Sequence, residues 1–181
     1  MKRVLVTGAN KGIGRAVVEA ILDRYPGVFV YLGCRSVERG TEAQQQLAAK
    51  NPEYLSRTKV VELDVTSDRS VSEAKKSVLE DCEPIGNVLH GIVNNAGIFS
   101  SSAGASEVLE VNLFGIKRVF DEFRTILDAN DARVVNVTSA SGPNYLSSAD
   151  PSIRRVLTDS RATWEDILHV VQLFLKNIEN A

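Results

Sequence analysis

The chain has 181 residues, of which 44% are hydrophobic and 24% charged, with a net charge of −2. That is enough for one globular domain with a substantial core, and so slight an acidity argues against a broad nucleic-acid or anionic-membrane footprint. No apolar run approaches the roughly 20 residues of a membrane span. Lys2 and Arg3 are followed only by Val4, Leu5 and Val6 before Thr7, too few for a signal-peptide core. The expectation is a cytoplasmic protein whose two cysteines, Cys34 and Cys82, are reduced and packed as small hydrophobes.

Strand and helix periods alternate along the chain. RVLVTG (3–8) is an unbroken apolar run, as a strand covered on both faces requires. Ile13, Ala16, Val17, Ala20 and Ile21 recur at helical spacing until Pro26-Gly27 stops them. VFVYLGC (28–34) is a second strand, and Ser36 caps a helix that ends before Asn51-Pro52. KVVELDV (59–65) is a third strand, after which Ser67 or Asp68 caps a helix running to about Cys82. VLHGIVNNAG (88–97) is a fourth strand and its exit, residues 105–129 form one long helix, and RVVNVTS (133–139) is a fifth strand. Residues 142–151 read as a loop carrying Tyr145, 152–158 as a short helix, and 163–180 as a strong helix capped by Thr163, with an apolar stripe that packs on the domain. This βαβα order predicts an α/β fold with a parallel sheet and helices on both faces.

The turn TGANKGIG (7–14) lies between the first strand and the first helix. Glycines there allow a tight turn and let a pyrophosphate approach the backbone. The helix N-terminus adds free N–H groups and a positive dipole end. The second strand ends at Cys34-Arg35, where a side chain meets the adenosine ribose of a bound dinucleotide. An acidic residue at this place suits the 2′-hydroxyl of NAD, whereas the guanidinium of Arg35 suits the 2′-phosphate of NADP, with Lys11 as a second cation. Asp64, ending the third strand, is placed to accept from the adenine amino group. His90 and His169 have no Cys or His partner at ligand spacing, so no metal site is assigned.

Together, TGANKGIG, LDV (63–65), VNNAG (93–97), VNLFG (111–115) and VVNVTSASG (134–142) resemble the classical short-chain dehydrogenases/reductases, most of all the carbonyl reductase branch. The resemblance implies a Rossmann-like doubly wound sheet of about five strands in the order 3-2-1-4-5. Residues 1–142 would form the dinucleotide-binding part, and 143–181 a helical segment of the same domain resembling the carbonyl reductase insertion. It implies NADP(H) as cofactor, with Gly8, Asn10, Lys11, Gly12, Ile13 and Gly14 at the phosphates, Arg35 at the 2′-phosphate, Asp64 and Val65 at the adenine, and Asn95, Ala96 and Gly97 beside the ribose. Asn112 matches the asparagine that holds a water in the family's proton relay, and Ser139 matches the serine that bonds the substrate carbonyl.

In that family a tyrosine protonates the oxyanion, helped by a lysine four residues later, a contribution of about 10²–10⁴-fold. No Tyr-x-x-x-Lys occurs among these 181 residues, since Tyr25, Tyr31, Tyr54 and Tyr145 are followed at that distance by Phe29, Arg35, Thr58 and Ala149. The expectation is a chain that stops before the tyrosine helix and the last strands of the family fold. It would keep the adenosine half of the cofactor site and have no carbonyl reduction of its own. The alternative is a catalytically dead NADP(H)-binding or protein-interaction pseudoenzyme. A fifth strand left without a neighbour further suggests a homodimer covering that edge.

Overall fold

A computed structural model describes residues 1–81, 89–99 and 104–179. Cys82 and the first residue of the expected fourth strand lie outside the described residues. The chain divides into two compact units, Met1–Val137 and Thr138–Ala181.

The first unit is built on five parallel strands: β1 (Lys2–Thr7), β2 (Val28–Cys34), β3 (Thr58–Glu62), β4 (Gly91–Asn94) and β5 (Arg133–Asn136). Their spatial order is β3-β2-β1-β4-β5, the order the resemblance implied. Helices α1 (Gly12–Arg24), α2 (Val37–Lys50), the short α3 (Glu53–Ser56), α4 (Asp68–Glu80), α5 (Ala105–Leu109) and α6 (Gly115–Phe123) connect them. Because successive strand side chains alternate between faces, β1 and β2 each feed two cores. Leu5 and Tyr31 pack with Val71, Ala74 and Val78 of α4 and Val119 and Phe123 of α6. Val6, Val30 and Leu32 pack instead with Val18 and Leu22 of α1 and Ala43 and Leu47 of α2. Burial on both faces is why these strands read as continuous apolar runs.

Expected and observed elements differ in several places, among them the fifth strand, which ends at Asn136 rather than at residue 139, and the unforeseen short helix α3. The helix foreseen over 105–129 is interrupted by a π-turn, Glu110–Phe114, where the Gly115 N–H bonds the Glu110 carbonyl five residues back, and it closes with a 3₁₀ turn at Arg124–Ile126. The third strand ends at Glu62 rather than at residue 65, so Asp64 and Val65 lie beyond the sheet. The stretch read as a loop over 142–151 begins in helix: α7 spans Ser141–Ser148. Pro143 falls in the first turn of α7, where an absent N–H costs nothing, so Gly142-Pro143 starts a helix instead of preventing one. Tyr145 is therefore helical, its ring edge-on to Phe174 at 6.4 Å between centroids.

The second unit continues with α8 (Pro151–Thr158) and α9 (Trp164–Glu179). Asp150 caps α8 by accepting from the Ser152 N–H at 2.8 Å. At the start of α9 the Thr163 hydroxyl accepts from the Asp166 N–H (3.2 Å), and the Asp166 carboxylate accepts from the Thr163 N–H (2.8 Å), a reciprocal cap. No helix among the described residues is long and apolar enough to cross a membrane.

Cys34 closes β2 in a tight space: a Cβ on Gly40 would stand 2.5 Å from its Sγ. Burial, with the charge of Glu62 as the lesser cause, pushes the thiol up to about 11 from 9.0. Its thiolate fraction at pH 8 is then about a hundredth of that of an ordinary thiol. Alkylation of Cys34 by iodoacetamide, followed by peptide mass spectrometry, is expected to be about a hundredfold slower in the folded chain than in urea. The unfolded chain loses this proton first, so Cys34 lowers folding stability as pH rises from 9.0 to about 11. Equal alkylation rates in the two states would contradict this burial.

Candidate functional site

In the order β3-β2-β1-β4-β5 the chain runs outward from β1 to β3, then crosses back to lay β4 on the other side of β1. The crevice beyond the carboxyl ends of β1 and β4 is where such sheets bind ligands. A cleft of about 460 Å³ opens there. Its lining includes Gly8, Asn10, Lys11, Gly12, Ile13 and Gly14 from the β1–α1 turn, Arg35 after β2, Asp64 and Val65 after β3, and Asn95, Ala96 and Gly97 after β4. The twelve residues singled out for a dinucleotide thus line one cleft.

Each glycine of the turn has a separate cause. Gly8 has φ +65°, and a Cβ there would stand 2.9 Å from the Ala96 Cα, so the turn needs both the positive φ and the empty side. Gly14 lies at the packing contact between α1 and the strand ends, where a Cβ would be 2.4 Å from both Asn95 Nδ2 and the Gly8 carbonyl. Gly12 has φ +55° with nothing within 4 Å of its Cβ position, which leaves open space in front of the backbone.

Two side chains brace this floor. The Asn95 amide donates to the Thr7 carbonyl (2.9 Å) and the Gly8 carbonyl (3.2 Å). The buried Thr7 hydroxyl accepts from the Asn95 N–H (3.0 Å) and the Ala96 N–H (2.9 Å). Thr7, a polar residue ending an apolar strand, was not among the expected site residues; that contrast was its signal.

The cleft is electrostatically prepared for an anion. Helices α2 and α4 begin with serine caps, Ser36 and Ser67, and acidic first turns. Helix α1 has neither a side-chain cap nor an acidic residue in its first turn, so its N–H groups and positive dipole end remain for a ligand. Lys11, Arg35 and Arg39 also line the cleft, and none of them takes part in an ion pair among the described residues. Arg39 was not foreseen. Its signal was present, because a cap at Ser36 puts the residue three positions later on the first turn of α2, beside Arg35. Asp64 Oδ1 accepts from the Thr66 N–H (2.9 Å) and hydroxyl (2.8 Å), which orients the carboxylate.

Asn112 sits on the π-turn outside the cleft lining. Its amide donates to the Ile98 carbonyl and accepts from the Ile98 N–H, both at 2.9 Å, so its side chain is engaged by backbone. Ser139 belongs to the second unit, where its hydroxyl accepts from the Ser141 N–H and donates to the Ser141 hydroxyl, each at 3.1 Å, ahead of α7. Among the described residues no group of three His, Cys, Asp or Glu side chains could hold a metal ion.

The family model described as short chain dehydrogenase matches residues 2–149. Carbonyl reductase (NADPH) 1 of Rattus norvegicus is 32% identical over 180 residues, which cover 96% of this chain and 61% of the relative. The mitochondrial D-beta-hydroxybutyrate dehydrogenase of Bos taurus is 31% identical over 148 residues, 78% of this chain and 42% of the relative. The structure of salutaridine reductase from Papaver somniferum aligns with a TM-score of 0.81 at 28% identity, over 99% of this chain and 71% of that one. The chain spans about half the length of the curated relatives it matches. With the family match covering the whole sheet and the glycine turn, this chain belongs to the short-chain dehydrogenase family.

Proposed function

We propose that this chain binds NADP(H) in the cleft at the ends of β1 to β4, as the nucleotide-binding part of a carbonyl reductase-like oxidoreductase. The observation that carries the reading is the pair Arg35, after β2, and Arg39, on the first turn of α2, which line the cleft and take part in no ion pair among the described residues, with no carboxylate at position 35 to favour a free 2′-hydroxyl. The α1 N-terminus would hold the pyrophosphate, with Gly12 open to it and Lys11 nearby. Asp64 and Val65 would receive the adenine. The similarity to the rat carbonyl reductase extends over nearly the whole chain, which supports small carbonyl compounds as the substrate class. A bound nicotinamide would supply a hydride.

Fluorescence titration is expected to give NADPH an affinity at least about tenfold above that of NADH, because guanidinium–phosphate pairs are strong, charge-assisted contacts. Arg35→Ala should remove most of that preference while leaving NADH binding little changed. Equal affinities in the parent chain would overturn the NADP(H) reading.

These 181 residues contain no Tyr-x-x-x-Lys, so we propose that they bind the nucleotide without reducing carbonyls. Oxidation of NADPH in the presence of a reactive dicarbonyl or a quinone should stay at the background rate. Turnover that Ser139→Ala abolishes would instead show Ser139 acting in a site completed by another group.

The β5 edge points to self-association. Among the described residues β5 pairs only with β4, and Val134, Val135 and Val137 are 38%, 51% and 38% exposed. An apolar edge strand with free backbone groups is a template for pairing. We propose a homodimer formed across β5. Light scattering should give twice the 19.7 kDa chain mass, and Val135→Lys should return it to one. A monodisperse monomer of the parent chain at high concentration would exclude the dimer.

A further inference from the structure

The cleft wall formed by Asp64, Val65 and Thr66 lies beyond the end of β3, so no strand ladder fixes it. Part of its support comes from α4, where Ser70 Oγ accepts from the Asp64 N–H at 2.9 Å. The Ser67 N–H also donates to the Asp64 carbonyl at 3.1 Å, and further support comes from α6. Arg118 Nη1 donates to the Val65 carbonyl at 2.7 Å. Nη2 of the same guanidinium donates to Glu110 Oε1 at 2.8 Å, and Nε to the Asp68 carboxylate. These contacts differ in weight. The Asp68 side chain is 90% exposed, and a pair there contributes little. The bond to the Val65 carbonyl joins a charged donor to the backbone of a buried residue and is the strong one. Gly115 makes it reachable, since a Cβ there would stand 2.8 Å from Val65 Cγ2 and push α6 away.

Glu110 opens the π-turn, and two residues later Asn112 holds both backbone groups of Ile98, which lines the cleft after β4. A single guanidinium therefore connects the wall after β3 to the turn that holds the segment after β4. We propose that Arg118 is a positioning residue that locks the Asp64–Thr66 wall to the π-turn, so that the two sides of the cleft are set together and the adenine subsite is preformed. This rests on the nucleotide reading of the cleft. A planar fork with donors in several directions is what the geometry requires; an ammonium cannot serve Val65 and Glu110 in the same way.

The test uses the full chain and two readouts. In Arg118→Met, residue-resolved hydrogen exchange should accelerate roughly tenfold at the Thr66 and Ile98 amides, with the β2 amides unchanged. An unchanged Ile98 amide, or equal acceleration everywhere, would overturn the link. In parallel, NADPH is compared with its hypoxanthine analogue, in which the adenine amino donor is replaced by a carbonyl. The variant should lose roughly tenfold on NADPH and much less on the analogue, bringing their affinity ratio toward one. A ratio preserved in the variant would overturn the role at the adenine, because general destabilisation weakens both ligands alike. If the parent chain itself does not distinguish the two nucleotides, the nucleotide assignment of Asp64 fails and the exchange result alone decides the role of Arg118. Glu110→Gln, which keeps an acceptor but removes its charge, gives a second variant should Arg118→Met not fold. It should speed Ile98 exchange in the same direction by a smaller factor, and no change there would also count against the link.

Discussion

Asn95 bridges the point where the sheet changes direction. Its amide, delivered by the end of β4, donates to the last carbonyl of β1 and the first carbonyl of the glycine turn. The β1–β2 pairing ends with Thr7 opposite Gly33, so the Gly8 carbonyl lies beyond the ladder, where a carbonyl without a donor is costly. One side chain bonds both carbonyls and fixes the direction in which the turn leaves the strand. Gly8 and Gly14 are the steric counterpart, because a methyl group at either position would collide with Ala96 or with Asn95 itself. The aim of the α1 N-terminus into the cleft depends on this brace.

Charge adds to that frame. The chain carries a net charge of −2, yet the cleft gathers Lys11, Arg35 and Arg39 with Asp64 as the acidic side chain among its lining residues. The cations come from two separate turns, and an uncapped helix end lies with them. Several cations elsewhere are paired, such as Lys59 with Asp81, Lys75 with Glu122, and Lys2 with Asp131. Unpaired cations grouped at a concave surface mark a place for an anion more clearly than overall charge can.

Much of this was legible in the sequence. TGANKGIG could be read because each of its requirements is local, such as a φ that only glycine adopts freely or a helix beginning after a strand. The caps at Ser36 and Ser67 were legible for the same reason. Helix α7 was misread because Gly142-Pro143 carries a breaking signal in a helix interior and none in a first turn. The π-turn had no local signal. It coincides with the two hydrogen bonds between Asn112 and Ile98, fourteen residues earlier in the chain, and with the Arg118 bond to the Val65 carbonyl.

The sequence by itself determined the strand and helix alternation and the glycine turn, since each follows from short-range periodicity and backbone sterics. The tertiary structure decided that residues as far apart in the chain as Gly8 and Val111 line one cleft. It also decided that Arg39 joins Arg35, and that Arg118 reaches the wall beyond β3. The physical reason is that parallel pairing brings every strand's carboxyl end to the same edge of the sheet. Which side chains then meet there depends on packing between elements that local sequence does not specify.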